Sequence, residues 1–560
     1  MNELQHGGSV DEWDDARSLT RAACLILMLA SLASMTARIG GIESREKTPM
    51  ISANDRSRWC TVRALVDDGT YAIDTLVFRT NEDGKLLRDR NGKLVRDPKW
   101  QTIDMVRHRG ADGKEHYYSS KPPLLPTMIA GGYWAIKKVF GLEIVEEYSA
   151  IIRALLVLIN VVPLALLFWL TWRLCDRYCR HEWSRLFVIA VATWGTFLTT
   201  FAVVLNNHLP AAVSTMVAIY AVFQVLARRD QRLSDDQDAE ELPDASWGWH
   251  VLAGLAAGFA AANELPALSL LVALGLGLTW AAPLRSLGYY LAAGAVGVAF
   301  FATNLVAHNS WKPPYMHRSD GAVVATAEVN ELAAGEAPAA IRDALGKQLI
   351  QLGPDAVVEE AYGDDRWQLF NPFDEQRWAL QLNDGVCTIR EWNDWYEYER
   401  SHWRGGDKKG VDRGEPNVAK YAAHVLVGHH GIFSLTPVWL LTLVGIGIAL
   451  RQGEGAFRGF ALLTGALWAV CTAFYIARPL DDRNYGGVSC GFRWLYWQIP
   501  MWTIAMIPAL DWVAERPRLR NVAIVLLTIG VGSAAYASAK PFSHPWLYDF
   551  WVYLGWASND

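Results

Sequence analysis

Cysteine is scarce and irregularly spaced in this chain of 560 residues. The seven cysteines form no CxxC pair, so they do not suggest a zinc site of the common structural kind. A basic excess is also lacking, because 58 Asp and Glu outnumber 52 Lys and Arg and leave a net charge of −6. We therefore predict no nucleic-acid partner. Cys60, Cys387 and Cys490 lie in polar regions, where a disulfide among them is compatible with the sequence.

What the chain does contain is a series of long apolar runs separated by charged segments. A helix needs about 20 apolar residues to cross a bilayer, and somewhat fewer inside a bundle. On that basis the sequence predicts an all-α, polytopic membrane protein with about eleven transmembrane helices. The predicted spans are residues 22–40, 149–172, 186–206, 209–227, 249–263, 265–282, 287–308, 430–450, 458–477, 494–513 and 521–539.

The fifth and sixth predicted spans are separated only by the polar break Asn263-Glu264-Leu265-Pro266. The two segments could instead form one long kinked helix, which would reverse the orientation of everything after it. With eleven spans and the N-terminus inside, every short inner loop carries arginine, as the positive-inside rule expects. Merging the two spans would place the last two arginine-rich loops outside. We therefore favour eleven spans, with Glu264 near a span end.

The first predicted span has two interpretations. Residues 34–37 resemble the cleavage site of a secretory signal peptide. The segment before the span, however, contains four acidic residues between positions 11 and 15, unlike a short basic leader. We favour a retained helix, flanked by Arg21 and Arg38, whose long side chains are expected to reach the lipid headgroups.

These spans divide the chain into a cytoplasmic tail, a transmembrane core with a first outer loop, a large outer region, a second group of transmembrane helices and an outer tail. The protein is accordingly expected in the plasma (inner) membrane, with its large loops outside. The polar inner loop at 230–244 is typical of a solvated linker. The cytoplasmic tail is 1–21 and the transmembrane core is 22–308, including the first outer loop at 41–148. The large outer region is 309–428, the second group of transmembrane helices is 429–539, and the outer tail is 540–560.

The outer regions are expected to contain interfacial helices. One is predicted at 124–140, where Trp134 accompanies Lys137 and Lys138 as in helices that lie on a membrane surface. In the second outer region, an alanine-rich stretch around 323–350 also predicts a helix.

The first outer loop begins with a charged segment that contains Asp55, Arg56 and Arg58. On a helix these three side chains would share about one turn at the membrane surface. The simpler interpretation is a surface ion pair, with Asp55 serving as the N-cap of the helix that follows.

A second segment, His116 to Pro126, contains Tyr118 and Lys121. Lys121 stands directly before two prolines, and its ammonium group could bind a phosphate as a point charge. Alternatively, the prolines simply start a helix and Lys121 touches lipid headgroups.

Two histidine positions lie at span ends. His208 follows two asparagines in a turn between spans, where it is either structural or a substrate contact. His429 and His430 are adjacent, so they point to different faces and cannot chelate one metal as an i, i+4 pair would. A helix beginning there would nevertheless offer an anion site at its N-terminus.

The outer loop before the tenth span, residues 481–494, contains three glycines within six residues. This spacing predicts a tight turn in which the backbone closely approaches another group. Arg493 at its end either contacts a lipid phosphate or snorkels to the membrane surface.

Taken in order, these segments resemble the GT-C superfamily of membrane glycosyltransferases. The closest likeness is to the branch that contains the lipid A aminoarabinose transferase and bacterial relatives of protein O-mannosyltransferases. Asp55-Arg56-Ser57-Arg58-Trp59 is similar to the Asp-Glu-x-Arg-Tyr motif of that branch, with Arg56 in the place of its second acid. Lys121-Pro122-Pro123-Leu124 looks like its Lys-Pro-Pro-Leu motif. Gly486, Gly487, Gly491 and Arg493 follow a Gly-Gly-x-x-x-Gly-x-Arg pattern found in large bacterial members.

The resemblance implies an inverting transfer of a sugar from a polyprenyl-phosphate-linked donor to a lipid, glycan or protein acceptor at the outer face. Asp55 would be the general base. The resemblance implies no certain cofactor and leaves a divalent metal open, and the sequence identifies no metal ligands. It assigns the donor phosphate to Arg58, Lys121 and Arg493, and a substrate groove to Arg56, Tyr118, His208, His429, Arg483 and Tyr485.

The sequence is also compatible with a second function. A GT-C-like protein without catalysis would bind or transport polyprenyl lipids and transfer no sugar. Arg56 in the acidic position of the motif favours this alternative. The concentration of charge in the outer loops, by contrast, favours the enzyme over a solute transporter, which needs ionisable groups at membrane depth.

Overall fold

The computed structural model describes residues 10–83, 85–233, 246–361, 366–403, 410–453 and 455–557. The first nine residues of the predicted tail and most of the predicted linker at 230–244 lie outside these ranges. The chain divides into two compact units, which we call the helical unit and the mixed unit. The helical unit comprises Met1–Ile51, Ile144–Val298 and Gly410–Asp560, and the mixed unit comprises Ser52–Glu143 and Ala299–Lys409.

Helices account for most of the regular structure. The helix α12 begins in the helical unit, and its residues from Ala299 onward belong to the mixed unit. In chain order the helices are α1 Val10–Gly41, α2 Ala53–Arg63, α3 Asp74–Val77, α4 Leu124–Phe140, α5 Tyr148–Leu156, α6 Val162–Tyr178, α7 Glu182–Trp194, α8 Phe197–Thr200, α9 His208–Leu233, α10 Trp247–Asn263, α11 Leu268–Ala281, α12 Ser286–His308, α13 Ala339–Gly346, α14 Val418–Leu426, α15 Ile432–Leu435, α16 Trp439–Gln452, α17 Gly455–Ile476, α18 Ile499–Ala505, α19 Ile507–Ala514, α20 Pro517–Tyr536 and α21 Trp546–Tyr553.

Seven helical segments within the described part of the chain are long and apolar enough to cross a membrane. They coincide with the first, second, third, fourth, seventh, ninth and eleventh predicted spans. Two shorter apolar helices, Leu265–Ala281 and Trp439–Gln452, correspond to the sixth and eighth. The total of eleven crossings stays a prediction. The seven are Arg17–Gly41, Tyr148–Tyr178, Glu182–Val203, His208–Arg229, Ser286–His308, Gly455–Ile476 and Pro517–Tyr536.

The break between the fifth and sixth predicted spans is present, because α10 ends at Asn263 and α11 begins at Leu268. The two helices then fold back on each other. Gly254 of α10 lies against the backbone of Tyr289, and Gly275 of α11 lies against the ring of the same tyrosine. Two positions 21 residues apart can meet the same residue only if the helices run antiparallel. A single long kinked helix is therefore excluded.

The eighth predicted span, in contrast, was expected to run unbroken from 430 to 450. The structure divides it into α15 and α16, with the helix interrupted at Thr436 and Pro437. The residue before a proline is pushed out of the helical region of backbone space. Thr436 accordingly has φ −135° and ψ 68°.

Arg38, near the end of α1, does not serve as the snorkelling anchor that we expected. Its guanidinium group donates hydrogen bonds to backbone carbonyls of Thr199, Thr200 and Ser538, at 2.6 to 3.3 Å. Helix ends leave backbone carbonyls without partners inside the helix. Arg38 satisfies such groups on α8 and on the turn after α20, and so ties three parts of the helical unit together.

The mixed unit corrects the all-α prediction, because its described residues form two antiparallel sheets. The second outer region supplies six strands in the order β3-β8-β7-β6-β5-β4, and the first outer loop supplies the pair β1-β2. The strands are β1 Met105–Arg109, β2 Glu115–Ser119, β3 Val323–Glu328, β4 Gly335–Glu336, β5 Val357–Glu360, β6 Trp367–Asn371, β7 Gln376–Asn383 and β8 Val386–Glu391.

The predicted helix at 323–350 was wrong for its first half. Residues 323–328 form β3, paired with β8, and only 339–346 form a helix. The six-stranded sheet and α13 share one apolar core, in which Ile341, Leu345, Leu380 and Ile389 are all fully buried. Burial of this core outweighs the helix propensity of the alanines.

Candidate functional site

The helix α2 places three of the predicted site residues at its N-terminal end. Its N-cap is Ser52, whose hydroxyl accepts a hydrogen bond of 3.0 Å from the backbone N–H of Asp55. The interpretation of Asp55 as the cap was therefore wrong. Asp55 instead stands in the first turn with its side chain buried. The positive end of the helix dipole favours a carboxylate at that place.

The two arginines beside Asp55 are directed to different partners. Arg58 is buried, and its guanidinium group donates to the side-chain and backbone oxygens of Asn54. Arg56 donates to the backbone carbonyl of Gln101 at 2.9 Å. Arg56, the departure from the acidic motif, thus contacts the segment that leads into β1.

Lys121 forms an ion pair that the sequence did not reveal. Its ammonium group lies 2.9 Å from Oδ1 of Asp104, whose side chain is only 9% exposed. The backbone carbonyl of Asp104 accepts hydrogen bonds from the hydroxyl of Ser57 at 2.6 Å and from the N–H of Ser120 at 3.1 Å. Asp104 therefore connects α2, the start of β1 and the segment after β2.

Hydrogen bonds of Thr102 and of Ser57 further fix the position of α2 against the segments around β1 and β2. The hydroxyl of Thr102 donates to the carbonyl of Ala53 at 2.7 Å and accepts from the N–H of Asp104 at 3.0 Å. The hydroxyls of Ser57 and Ser119 are also hydrogen-bonded. These hydrogen bonds join α2, which carries Asp55 and Arg58, to the segments around β1 and β2, the second of which leads into Lys121.

Tyr118 is part of a stack of four rings in the mixed unit. Its ring lies 4.2 Å from that of His108, His108 lies 4.0 Å from Trp395, and Trp395 lies 3.5 Å from His317. Only 5% of Tyr118 is exposed. The predicted groove residue therefore contributes mainly to packing of the first outer loop against the second outer region.

The hydrogen bonds of His108 determine which of its nitrogens carries the proton. Nδ1 is 3.0 Å from the carbonyl of Arg109, which can only accept, so Nδ1 must be the donor. Burial lowers the pKa of His108 to about 4, so the ring is neutral at pH 7 and Nε2 accepts. Nε2 lies 3.0 Å from Nδ1 of His308, which must therefore donate.

In the helical unit, His208 is paired with a buried acid. Nδ1 of His208 is hydrogen-bonded to Oε1 of Glu264, and the side-chain amide of Asn207 donates to the same oxygen at 2.6 Å. His208 begins α9, and Glu264 follows the last residue of α10, as expected for an acid near a span end. This pair links the two helices.

The glycine-rich loop approaches Arg493 as its spacing predicted. Gly486 has φ +94°, and a Cβ at this position would lie 2.4 Å from Nε of Arg493. Arg493 donates to the carbonyl of Gly486 and stacks on the ring of Phe542, 5.2 Å from its centroid. Arg483 donates to the carbonyls of Arg478 and Pro416 at 2.8 and 2.9 Å.

His429 and Tyr485 meet in one aromatic cluster. The ring of Tyr485 stacks on His430 at 4.0 Å and meets the ring of His429 edge-on at 5.4 Å. Burial lowers the pKa of His429 to about 3, so it is neutral at pH 7 and carries no charge to attract a phosphate. The helix α15 has only four residues, so the expected anion site at its N-terminus is not supported.

Within the described ranges, no three His, Cys, Asp or Glu side chains are arranged to hold a metal ion. All seven cysteines are free, including Cys60, Cys387 and Cys490. A cavity of about 20 Å³ lies in the helical unit between Phe197, Tyr496 and Trp502. It has room for roughly one water molecule, not for a sugar ring.

No known protein-family model matches the chain, and no curated protein matches its sequence. The solved structures that are similar to it include the following two. One is the protein O-mannosyltransferase Pmt1–Pmt2 complex of S. cerevisiae bound to the sugar donor, with 10% identity, a TM-score of 0.41, and coverage of 96% of this chain and 92% of that chain. The other is the archaeal oligosaccharyltransferase AglB of Archaeoglobus fulgidus in complex with an inhibitory peptide and a dolichol-phosphate, with 11% identity, a TM-score of 0.39, and coverage of 95% and 57%. Both are sugar transferases.

Proposed function

We propose that this protein is a membrane glycosyltransferase that moves a sugar from a polyprenyl-phosphate-linked donor to an acceptor hydroxyl. The observation that carries the proposal is the arrangement in the mixed unit. There the buried carboxylate of Asp55 and the ion pair of Lys121 with Asp104 lie on elements joined through Ser57 and Thr102.

The chemistry requires a base, because an acceptor hydroxyl is a poor nucleophile at neutral pH. Asp55 is the candidate, and the proton of the hydroxyl would pass to its carboxylate as the oxygen bonds to the anomeric carbon. The bond from that carbon to the phosphate oxygen breaks in the same step. Attack opposite the leaving group inverts the sugar, as in single-displacement glycosidases.

Negative charge develops on the phosphate as the sugar leaves, so fixed cations lower the barrier. Lys121 and Arg58 are the candidates in the mixed unit, and Arg493 is the candidate in the helical unit. Lys121 is held by Asp104, which we propose as a positioning residue. Arg56, Tyr118, His208, His429, Arg483 and Tyr485 remain proposed groove residues, although each also has a packing or hydrogen-bonding role.

The alternative is a protein that binds or carries polyprenyl lipids without transferring sugar. Two observations favour it. Arg56 stands where the motif has an acid and is directed to the carbonyl of Gln101. Lys121, the proposed phosphate contact, already has a carboxylate partner.

The arginine-rich inner loops support a proposed orientation with the N-terminus in the cytoplasm, in the plasma (inner) membrane, and the reaction at the outer face. The acceptor is proposed only as a lipid, glycan or protein hydroxyl. We propose no metal ligands.

The test compares Asp55→Asn with the parent protein in transfer from extracted polyprenyl-phosphate sugars. Loss of a general base is expected to lower the rate by about 10²- to 10⁴-fold. Asp89→Asn is a matched control, since Asp89 is an exposed acid that accepts backbone hydrogen bonds in a hairpin turn.

Equal rates for Asp55→Asn and the parent would exclude Asp55 as the base. Absence of transfer by both proteins, with polyprenyl phosphate still bound, would favour the alternative. Elution and melting of both variants, compared with the parent, separate loss of chemistry from loss of fold.

A further inference from the structure

We propose that His108 of β1 and His308 at the end of α12 form an acid-sensitive contact that releases β1 and β2 when the pH falls. We call these two residues the histidine pair. Nε2 of His108 lies 3.0 Å from Nδ1 of His308. His108 belongs to Ser52–Glu143, the first half of the mixed unit, and His308 belongs to Ala299–Lys409, the second half. The pair therefore joins the two halves of this unit.

His308 packs against rings from both halves of the mixed unit. The centroid of its ring lies 5.2 Å from that of His108, 5.4 Å from that of Tyr118 and 5.8 Å from that of Trp395. Only 5% of His308 and 7% of His108 are exposed. Loss of the contact would uncouple both strands of the first sheet from α12, β1 through His108 and β2 through Tyr118.

The hydrogen bonds of the histidine pair leave no acceptor for an additional proton. When both rings are neutral, the pair has two N–H groups, which donate to the carbonyl of Arg109 and to Nε2 of His108. One added proton gives a third N–H group, on Nε2 of His308. This nitrogen is buried and has no hydrogen-bond partner among the residues that the structure describes. Protonation therefore places a charge and an unpaired donor in the interior, which opposes closure.

The neighbouring histidines oppose protonation of the pair as well. Burial lowers the pKa of His108 to about 4, and His317 and His116 contribute to the lowering. His116 is itself charged, because its hydrogen bonds to Asp74 and Asp112 raise its pKa to about 9.

The other charged groups on the packed elements are engaged elsewhere. Lys312, on the segment after α12, adds positive charge beside His317, whose pKa is lowered by burial and by this lysine. The remaining groups are Arg107 with Glu115, Arg109 with the carbonyl of Gly113, and Asp394 with Arg366.

Opening of the pair exposes both histidines to water, where the pKa of histidine is about 6.5. The folded pKa of His108 is about 4, so the open form binds more protons below pH 6.5. The stability that the pair contributes is therefore complete above pH 6.5 and is lost as the pH falls from 6.5 to about 4. Between pH 6 and pH 4.5, each proton taken up favours opening by about twentyfold. His116 stays protonated in the folded protein throughout this interval, so its own contribution hardly changes.

Release of β2 would also free Lys121, which follows the last residue of β2 by two positions. Slower sugar transfer in acid is the expected consequence, and this consequence alone rests on the proposed function.

The test measures hydrogen exchange of residues 105–119 by mass spectrometry, on the full chain in nanodiscs at pH 6 and pH 4.5. Rates are corrected for the intrinsic effect of pH on exchange. We expect opening of β1 and β2 to increase at least about tenfold at pH 4.5 and to reverse on return to pH 6. Strands β5 and β6, which contain no histidine, are the internal reference and should stay protected.

Two variants locate the response. In the double variant His108→Gln with His308→Gln, glutamine keeps a donor and an acceptor at both positions but does not titrate. The change in opening should then fall below about threefold. His317→Gln is the matched control, since His317 belongs to the same ring stack but hydrogen-bonds to Ser310 and Asn393. This variant should retain the response of the parent.

A response that persists in the double variant would overturn the proposal, and so would its loss in His317→Gln. The parent alone also decides, in case the double variant does not fold. Unchanged opening at pH 4.5, or equal opening of β5 and β6, would reject a local contact that is sensitive to acid. None of these measurements needs a sugar donor, so their outcome is independent of the test of Asp55→Asn.

Discussion

Lys121 and Asp104 form an ion pair with 2.9 Å between Nζ and Oδ1, and their side chains are 21% and 9% exposed. Asp104→Asn leaves the lysine without its charged partner in a mostly buried place. We expect the free energy of local opening of β1 and β2 to fall by about 2 kcal/mol. Hydrogen exchange of the amides in these strands measures it.

The surface pair of Arg478 and Asp482 provides the control for that change. Its side chains are 37% and 33% exposed. Asp482→Asn should therefore change the free energy of local opening around its own pair by less than about 1 kcal/mol. Similar effects of the two substitutions would show that Asp104 does no more than an ordinary surface acid.

His116 makes the stability of the mixed unit depend on pH. Its ring contacts the carboxylate of Asp74 at 3.1 Å and that of Asp112 at 3.0 Å, and these hydrogen bonds raise the pKa of His116 to about 9. An unfolded histidine has a pKa of about 6.5. The folded state therefore holds the proton more tightly, and its contribution to stability is complete below pH 6.5 and lost as the pH rises to about 9.

The corresponding comparison is between the parent and His116→Gln. The parent should melt at a higher temperature at pH 6, and the difference should shrink between pH 6.5 and 9 and vanish above that range. A difference in melting temperature that does not change with pH would contradict the raised pKa of His116 in the folded protein.

Gly486 and Gly487 allow the role of Arg493 to be separated from backbone strain. Both glycines have positive φ, +94° and +77°, so alanine strains the backbone at either position. Only at Gly486 does the new Cβ collide with the Arg493 side chain. Gly486→Ala should therefore weaken polyprenyl-phosphate binding about tenfold more than Gly487→Ala, as expected for a displaced charged hydrogen bond.

Native mass spectrometry or a lipid-binding titration measures the ratio of the polyprenyl-phosphate affinities of the two variants. Equal affinities in the two variants would remove Arg493 from the proposed phosphate contacts and leave it as a support for the loop.

Arg38→Lys tests the carbonyl contacts at the end of α1. Lysine lacks the planar fork with which arginine reaches Thr199, Thr200 and Ser538 together. We expect the melting temperature in detergent to fall by a few degrees. Arg21→Lys, at an exposed position on the same helix, should leave it unchanged. A fall of equal size in both variants would indicate that the carbonyl contacts contribute nothing specific.

Local sequence predicted those features that depend on neighbouring residues. For the seven long apolar helices the predicted ends lie within a few residues of the observed ones, whereas the eighth and tenth predicted spans are each divided into shorter helices. The break at Glu264 was correct, and glycine spacing predicted the close approach at Gly486. The six-stranded sheet was missed, because β3 pairs with β8, whose residues lie 58 to 67 positions later in the sequence. One local signal of a hairpin was present at Asp384 and Gly385, a two-residue turn with positive φ at both positions between β7 and β8.

The candidate site shows the same division. The motifs led us to propose Asp55 and Lys121, but gave no indication of Asp104, which pairs with Lys121 only because β1 and β2 form a hairpin. Nor could local pattern reveal that Tyr118 and Trp395 belong to one stack with the ring of His108 between them, since Tyr118 and Trp395 are 277 positions apart in the sequence. Side chains that meet through long-range packing are far apart in the sequence, so they form no local pattern from which the contact could be predicted.

The division of the mixed unit between two distant parts of the chain has a consequence for biogenesis. Its halves are separated by about 155 residues, which contain helices α5 to α11 and the start of α12. At about 5–20 residues per second, the ribosome needs roughly 10 to 30 s to bridge that interval. During this time Tyr118 and His108 have been made, but Trp395 and His317 have not. The first half of the mixed unit therefore has exposed aromatic rings until the second half is synthesised. A chaperone that binds such surfaces would act in that interval.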